Sequence, residues 1–357
     1  MQSKELKTEE LTFFEAINSG LTLAMEQDPH MICYGLGISD PKAIFGTTAG
    51  LEKKFGSTRV FDMPTSENAL TGVSIGAAIG GVRSVVTHQR LDFFLLAMDQ
   101  LVNSAAKWHY TYGVSVPITI RLIIGRGWGQ GPTHSQNLQA WFAHIPGLKV
   151  VAPTSPNDAK GLLLSSIFDP NPVVFLEHRW LHNAAGPVVV GDHRVAIGQA
   201  NLIKEGTSIT IVGMSYLTVE ARIAVEYLDT FNISCELIDL RSIKPIDWET
   251  LGTSIKKTGR LLVLDTGYAT GSVSSEIVAV AAIRHFDFLK GAPRRLAMPD
   301  VPEPSSFGLT QGFFVDAEKI VLEVLAMLSI CNEEILAKIP KMSSPHDVPG
   351  PWFKGPF

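Results

Sequence analysis

Short, mainly apolar runs alternate with helical patterns along the first half of the chain, and this alternation most restricts the fold. The apolar runs lie at residues 31–35, 82–87, 118–124, 148–152 and 172–177. Runs of this length are typical of strands that are buried on both faces of a parallel sheet. The helical patterns lie between them, at residues 67–80, 94–108, 138–144 and 157–168. The sequence therefore predicts an α/β fold.

The alternation stops over residues 183–200, a short stretch that contains Gly and Pro, and then resumes. Strand patterns follow at 208–212, 234–240 and 260–265, and helical patterns at 217–229, 248–257 and 272–284. We therefore predict two domains, residues 1–195 and residues 196–330, of which the second is the smaller α/β unit.

The C-terminal segment, residues 331–357, differs in composition from both predicted domains. Its Pro and Gly residues are concentrated over positions 340–356 and argue against a helix or a central strand. The segment also carries Trp352, Phe353 and Phe357, aromatic residues that so short a stretch cannot bury by itself. It is either an arm that packs on another surface, such as a partner, or a disordered end.

Charge and cysteine content exclude several classes of function. Thirty basic and 35 acidic residues give a net charge of −5, and no stripe of Lys and Arg indicates nucleic-acid binding. The most apolar stretch, residues 69–87, is interrupted by Arg83, so no membrane-spanning helix is expected. The three cysteines form no CxxC pair and residues 1–10 resemble no leader, which together favour a cytoplasmic protein.

One acidic residue, Glu67, precedes a row of glycines at the start of a predicted helix. Gly72, Gly76 and Gly80 are four residues apart and therefore share one helix face, along which another backbone can approach closely. Each glycine costs a helix interior roughly 1 kcal/mol relative to alanine, so the row predicts a packing partner. The helix dipole alone would favour an acid in this first turn, which is the alternative to a functional carboxylate.

The spacing of Glu67, Gly72 and Gly76 resembles a motif of the pyrimidine-binding domain of thiamine-diphosphate enzymes. From about residue 12 to residue 304 the chain resembles the β subunits of 2-oxoacid dehydrogenase E1 components, the pyruvate, branched-chain and acetoin enzymes. The segments that carry the resemblance are 99–107, 134–136, 146–153, 158–163, 171–177, 239–248 and 299–304. The resemblance implies a transketolase-like pyrimidine-binding domain followed by a transketolase C-terminal domain, the latter serving mainly in assembly.

The resemblance also implies roles for individual residues. Glu67 would hydrogen-bond N1′ of the cofactor's aminopyrimidine and so promote loss of the thiazolium C2 proton. Gln89 and Phe93 would line the pyrimidine pocket, although Phe93 could equally be a core residue. His134, in the glycine-rich segment 125–136, would act on the acyl intermediate and its acceptor, a task that suits an ordinary pKa of roughly 6.5. Without the flanking Ser135 and Gln136, a histidine here would be interpreted as a loop or core residue.

Some relatives also bind potassium, largely through main-chain carbonyl groups. Side-chain identity therefore says little about such a site. The equivalent positions in this chain are Ile118, Ser166, Ile167, Asp169 and Asn171.

The chain departs from the family around the pocket. Leu36 replaces an acid that is proposed to couple paired active sites, and Gln89, between His88 and Arg90, stands where pyruvate-type subunits have Met. These differences leave the substrate open.

The chain contains no Gly-Asp-Gly sequence, the motif through which thiamine-diphosphate enzymes hold Mg²⁺ and the diphosphate. The nearest match, at residues 191–193, is Gly-Asp-His and has no suitable downstream Asn. We therefore expect a separate α subunit to carry that motif and the Mg²⁺, and thiamine diphosphate to be shared between subunits of an α2β2 heterotetramer. Dinucleotide binding is disfavoured because Gly35 and Gly37 are followed by no third glycine.

Three functions are open to such a chain. The first is decarboxylation of a 2-oxoacid with transfer of the acyl group to a lipoyl carrier, which would involve a lipoyl-bearing E2 component. The second is a non-oxidative enzyme, either a split transketolase-like protein or an acyloin-forming carboligase. The third is a non-catalytic subunit, which the presence of both Glu67 and His134 disfavours.

Overall fold

The computed structural model describes residues 6–341 and 345–355. Parts of the predicted C-terminal segment, residues 342–344 and 356–357, lie outside the described residues, as do residues 1–5. The strands are β1 (Thr8–Thr12), β2 (Ile32–Gly35), β3 (Val60–Asp62), β4 (Ser84–His88), β5 (Ile118–Ile124), β6 (Lys149–Val151), β7 (Val173–His178), β8 (Ala185–Val189), β9 (Asn201–Lys204), β10 (Ile209–Gly213), β11 (Cys235–Asp239), β12 (Ser242–Lys244), β13 (Leu261–Tyr268) and β14 (Arg294–Met298).

The helices are α1 (Phe13–Gln27), α2 (Leu51–Phe55), α3 (Glu67–Ile79), α4 (Leu91–Phe94), α5 (Ala106–Tyr112), α6 (Gln139–His144), α7 (Pro156–Ile167), α8 (Tyr216–Asp229), α9 (Trp248–Thr258), α10 (Val273–Arg284), α11 (Ala317–Leu328) and α12 (Glu333–Ala337).

The larger sheet among the described residues has seven strands in the order β12-β6-β7-β5-β4-β2-β3. The strands β2 to β7 are parallel, as their mainly apolar sequences predict, and β12 is an antiparallel edge strand. Because successive strands are parallel, each must be followed by a connection that returns along the sheet. The carboxyl ends of β2, β3, β4 and β5 therefore meet at one edge.

A second sheet has five strands in the order β14-β13-β10-β11-β9, and among its described strands β9 alone is antiparallel to its neighbour. The strands β1 and β8 form a separate two-stranded sheet. The two larger sheets share one apolar core, in which Val150 and Leu176 of the seven-stranded sheet pack with Val212 and Ile238 of the five-stranded sheet. The chain after β11 also contributes β12 to the edge of the larger sheet. The two α/β units are thus joined both by their core and by a shared sheet.

Three segments differ from the sequence expectation. The irregular stretch at 183–200 contains β8, which pairs with β1 and owes its order to that distant strand. The helix predicted over 94–108 is interrupted by a 3₁₀ turn at Leu95–Ala97 and a π-helical turn at Gln100–Ala105. There the segment packs on α3, with Gln100 Oε1 3.5 Å from where a Cβ on Gly72 would lie.

The third segment that differs is the C-terminal segment. It was predicted to contain no helix, but Glu333–Ala337 forms a short one, so this prediction is wrong there. The side chain of Asn332 caps this helix by accepting hydrogen bonds from the backbone N–H groups of Glu334 and Ile335. The helix precedes the first proline of the segment. Beyond it, residues 345–355 pack on their own chain. No helix in the described part of the chain is long and apolar enough to cross a membrane.

Candidate active site

A cleft lies where the carboxyl ends of β2, β3, β4 and β5 meet, the edge at which ligands bind in parallel α/β sheets. Its floor is fixed by contacts between α3 and the sheet. Tyr34 of β2 donates a hydrogen bond to the Leu70 carbonyl (3.0 Å), and the hydroxyl oxygens of Ser74 and Ser84 lie 2.6 Å apart. These bonds hold the first turns of α3 against β2 and β4, and so set the position of its first residue.

That first residue is Glu67, which lines the cleft although its side chain is only 6% exposed. The carboxylate accepts no hydrogen bond from any described residue. The side chain of Ser66, the N-cap, makes no capping bond either. A carboxylate that faces a cleft without a partner can accept a proton or a hydrogen bond from a bound ligand. This end of the cleft has a volume of about 500 Å³ and is also lined by Leu36, Gly37, Asp62, Met63, Gln89 and Phe93.

The loop after β2 closes one side of the cleft. Asp62, the last residue of β3, accepts hydrogen bonds from the backbone N–H groups of Ile38 (2.6 Å) and Ser39 (3.3 Å). Gly37 has a φ of +82°, and a Cβ built there would lie 2.4 Å from Nε2 of Gln89. The glycine therefore allows the Gln89 side chain, which is otherwise exposed to the cleft, to lie directly against the loop.

His134 lies at the other end of the same cleft. Its ring meets the edge of Phe93 at a centroid distance of 5.2 Å and an interplanar angle of 88°, and its Nδ1 is 3.0 Å from the Thr133 hydroxyl. The cavity beside His134 has a volume of about 320 Å³ and shares Gln89 and Phe93 with the Glu67 end. The structure thus brings together all four residues that the sequence predicts for catalysis and cofactor binding.

The loop that carries His134 is held by two side chains from the segment after β4. Arg90 donates hydrogen bonds to the Gly125 carbonyl (2.7 Å) and to the Gln130 side chain. Burial lowers the pKa of Arg90 to about 10, which leaves it charged near neutral pH. Asp92 accepts a hydrogen bond from Nε2 of Gln136 (2.8 Å), and burial raises the pKa of this carboxyl above its ordinary value.

Sequence reasoning singled out neither Arg90 nor Gln130 as a site residue, although both line the cavity beside His134. The signal available was the polar sequence Gln89-Arg90 directly after an apolar strand. A charged residue there is buried only if the fold supplies acceptors. Here those acceptors come from the distant glycine-rich loop.

The five positions predicted to bind potassium lie close together. Four of them are at the end of α7 and in the turn between α7 and β7, and Ile118 begins the neighbouring strand β5. Arg83 donates hydrogen bonds to the carbonyls of Ile167 and Asp169, and Lys149 pairs with the Asp169 carboxylate at 2.5 Å. One buried acceptor, Oδ1 of Asn171, has no partner among the described residues. Carbonyl and carboxylate oxygens are suitable ligands for a cation, but Arg83 and Lys149 already supply positive charge to this turn.

The glycine row of α3 has no backbone packed on it within the described chain. A Cβ built on Gly76 would meet nothing within 4 Å, and Gly72 faces only the side chain of Gln100. Within the described part of the chain, the row is therefore packed only at Gly72, and Gly76 is left open. Nor do the described residues contain a group of three or more His, Cys, Asp or Glu side chains arranged to hold a metal ion.

Comparison with known proteins agrees with this architecture. The family described as "Transketolase, pyrimidine binding domain" matches residues 9–183, and "Transketolase, C-terminal domain" matches residues 198–320. A solved structure of a split-gene transketolase, an inactive β4 tetramer, superposes with a TM-score of 0.73. It covers 90% of this chain and 100% of its own at 21% identity, a level that shows the fold alone.

Curated relatives are closer in sequence. The pyruvate dehydrogenase E1 component subunit beta of Rickettsia conorii is 37% identical over 328 residues, 91% of this chain and 100% of the relative. The mitochondrial 2-oxoisovalerate dehydrogenase subunit beta 2 of Arabidopsis thaliana is 38% identical over 320 residues, 88% of each chain. The chain has both transketolase-type domains and aligns with such relatives over most of its length and theirs. It therefore belongs to the family of 2-oxoacid dehydrogenase E1 component β subunits.

Proposed function

We propose that this chain is the β subunit of a thiamine-diphosphate-dependent enzyme that decarboxylates a 2-oxoacid and passes the acyl group to a lipoyl carrier. The observation that supports this most is that Glu67 lines an open cleft while its carboxylate has no partner among the described residues. An aminopyrimidine nitrogen that shares a proton with it would supply the missing hydrogen bond.

The residues of the cleft divide the chemistry between its two ends. Thiamine diphosphate, when bound, supplies a carbon nucleophile and an electron sink for decarboxylation. Glu67 would orient the pyrimidine ring and hold a proton at N1′, while Phe93 offers it a flat apolar face. His134, across the Phe93 ring, would move a proton to or from the substrate and the acceptor, for which an imidazole is suited near neutral pH.

The site needs a second chain under this proposal. The described residues offer no cluster for a divalent cation, and the sequence has no Gly-Asp-Gly motif. We propose that an α subunit carries that motif with Mg²⁺ and completes an α2β2 heterotetramer, and that a lipoyl-bearing E2 component accepts the acyl group. The curated relatives are themselves named as beta subunits of E1 components. We further propose a cytoplasmic location, which cell fractionation tests.

Potassium binding at Ile118, Ser166, Ile167, Asp169 and Asn171 stays a prediction. Arg83 and Lys149 supply charge to this turn, so a bound ion would add less stability than in a turn without them. The measurement is the melting temperature of the complex in potassium salt and in sodium salt at equal ionic strength. A rise specific to potassium supports the site, and equal values reject it.

A second candidate function has one observation in its favour. The cavity beside His134 is lined by Gln89, Arg90 and Gln130, whose polar groups suit a hydroxylated substrate better than a short alkyl chain. A split transketolase-like enzyme or an acyloin-forming carboligase would use such a substrate and pass its fragment to an aldehyde rather than to a lipoyl group.

Copurification with the α subunit and an acceptor assay would separate these functions. We expect thiamine diphosphate with Mg²⁺ to bind tightly only to the complex, as measured by calorimetry. Reductive acylation of a lipoyl domain would then support the first function, and carbon–carbon bond formation with an aldehyde would support the second. Tight binding of cofactor by this chain alone, or catalysis without the α subunit, would contradict the two-subunit proposal.

A further inference from the structure

The C-terminal segment lies beyond both matched family regions, the second of which ends at residue 320, yet it reaches the loop that carries His134. Residues 345–355 fold back across the junction of the two α/β units. Three separate contacts connect them with the glycine-rich loop or with the cavity beside it.

The first contact is a buried ion pair. Nη2 of Arg126, the second residue of the glycine-rich loop, lies 3.5 Å from Oδ2 of Asp347 in the C-terminal segment. The Arg126 guanidinium also lies 3.6 Å from Oε1 of Glu303 and 5.3 Å from the ring centre of Phe314. Arg126 and Asp347 are each only 2% exposed. A buried guanidinium needs paired anions, so removal of the Asp347 charge would leave Arg126 poorly compensated.

The second contact passes through two indole rings. Nε1 of Trp352 donates a hydrogen bond to the Trp180 carbonyl (2.8 Å), and Nε1 of Trp180 donates one to the Gly127 carbonyl (2.9 Å). Trp180 is nearly fully buried, so its N–H group requires this acceptor in the loop. The C-terminal segment is thereby connected with the loop one residue beyond Arg126.

The third contact leads to the wall of the cavity. The Arg179 guanidinium lies 5.7 Å from the ring centre of Phe353 and 4.2 Å from that of Phe45. Phe45 lines the cavity beside His134. Phe353 and Phe45 therefore pack on the same guanidinium, one from the C-terminal segment and one from the site.

The glycine-rich loop depends on such contacts because its own sequence gives it little rigidity. Gly125, Gly129 and Gly131 all have positive φ values, and Trp128 between them is 53% exposed. Glycine loses more conformational freedom on folding than any other residue. A loop of this composition keeps one conformation only if distant residues fix it.

We propose that Asp347 is a positioning residue, which through Arg126 fixes the glycine-rich loop so that His134 faces the cleft. The Glu67 end of the cleft does not depend on it. The proposal on loop conformation stands by itself. Its consequence for acyl transfer rests on the function proposed above.

The test compares Asp347→Asn with Glu334→Gln in the reconstituted complex. Glu334 is a matched control, because its carboxylate belongs to the same segment but forms only an exposed pair with Lys338. Hydrogen exchange read by mass spectrometry should rise at residues 125–136 in the Asp347 variant and stay unchanged in α3. The control should exchange like the wild type in both regions. A variant that had lost its fold would exchange faster in α3 as well.

Activity provides an independent measurement. We expect Asp347→Asn to lower kcat for acyl transfer about tenfold, because a misplaced catalytic group loses rate steeply with small displacements. Exchange of the cofactor's C2 proton should change by less than about twofold, and Asp347→Glu should restore part of the transfer rate. Equal losses in the two steps would mean that Asp347 is merely structural and would overturn the proposal.

A shortened chain that ends at Pro340 provides a second variant and should behave like Asp347→Asn. Unchanged exchange at residues 125–136 in both variants would overturn the proposal, whichever reaction the enzyme performs. Raised loop exchange together with the absence of any acyl transfer in the wild type would instead leave the positioning role standing and reject the proposed function.

Discussion

The two ends of the cleft are built in different ways. Glu67 is the first residue of a regular helix, which two hydrogen-bonded contacts fasten to adjacent strands of one sheet. His134 lies in a glycine-rich loop, whose conformation is fixed by Arg90, Trp180 and the C-terminal Asp347. One end therefore depends on neighbouring elements of a single sheet, whereas the other depends on contacts from across the molecule.

This difference has a functional consequence. Cofactor activation at Glu67 should tolerate changes in the C-terminal segment and in the smaller α/β unit. Proton transfer at His134 should be sensitive to both. The comparison predicts that the two chemical steps respond to different sets of substitutions.

Glu67→Gln tests the first end and should have the largest effect. The amide keeps the size of the side chain but cannot share a proton as a carboxylate does, so turnover of the complex should fall by about 10²–10⁴-fold. Glu52→Gln is the control, since Glu52 is also a first-turn acid but does not line the cleft. Equal effects of the two substitutions would reduce Glu67 to a charge that stabilises its helix.

Arg121→Met tests the sheet that supports both ends. Arg121 and Glu177 form a fully buried, two-pronged ion pair between β5 and β7, with N···O distances of 2.7 and 3.0 Å. Burial alone would raise the pKa of Glu177, but Arg121 and His182 together lower it. Loss of the arginine should lower the free energy of unfolding by roughly 3–5 kcal/mol, because the buried Glu177 carboxylate then keeps only the His182 ring, 3.4 Å away, as a polar neighbour among the described residues.

Unfolding of the complex in urea measures this loss. Replacement of both partners, Arg121→Met with Glu177→Met, should recover much of the stability, because no buried charge is then left unpaired. A double variant as unstable as the single one would show that the packing of Arg121, rather than its charge, supports the sheet.

Gly125→Ala tests the second end alone. Gly125 has a φ of +71°, and a Cβ there would lie 2.4 Å from Nε2 of the buried His178. The strain, roughly 1–3 kcal/mol, should displace the loop and slow acyl transfer while cofactor activation continues. Gly129→Ala is the matched control, since its φ of +62° is similar but nothing lies within 4 Å of the added carbon.

Rapid-mixing measurement of each step checks the Gly125 prediction. Slower acyl transfer in Gly125→Ala than in Gly129→Ala is expected. If both variants slow acyl transfer equally, the cause is the positive φ at each position rather than the contact with His178.

Glu303→Gln should have the smallest effect, on the pH dependence of stability. Burial raises the pKa of Glu303 to about 8 from its ordinary 4.5, and Arg126 only partly opposes this. Between these values the folded chain binds more protons than the unfolded chain, so the free energy of unfolding falls as pH rises. Melting temperatures at pH 5 and pH 8 should differ less in the variant. An identical difference in both proteins would contradict the assignment.

The sequence predicted the Glu67 end and the parallel sheet because both follow from local patterns. The Glu67 spacing, the apolar strands and the residues flanking His134 can each be identified within a few positions. The ion pair between Arg126 and Asp347 could not be identified in this way, since it joins residues far apart in the sequence. β8 was missed for the same reason, as its order comes from pairing with β1.

The sequence predicted which glycines share a face of α3, but it did not predict what surrounds that face. The pattern showed that a close approach was possible, and in the structure a Cβ added to Gly76 would meet no described residue within 4 Å apart from its own turn of helix. Sequence periodicity records which residues share a face, but it does not identify the chain that covers that face.

The most direct test of the account measures exchange of the C2 proton of thiamine diphosphate in the reconstituted complex by NMR. The wild type is compared with Glu67→Gln and with the chain that ends at Pro340. We expect exchange to fall by at least about a hundredfold in Glu67→Gln and to stay within about twofold of the wild type in the shortened chain. Wild-type exchange in Glu67→Gln, or equal losses in both variants, would contradict the division of the cleft into two independently supported ends.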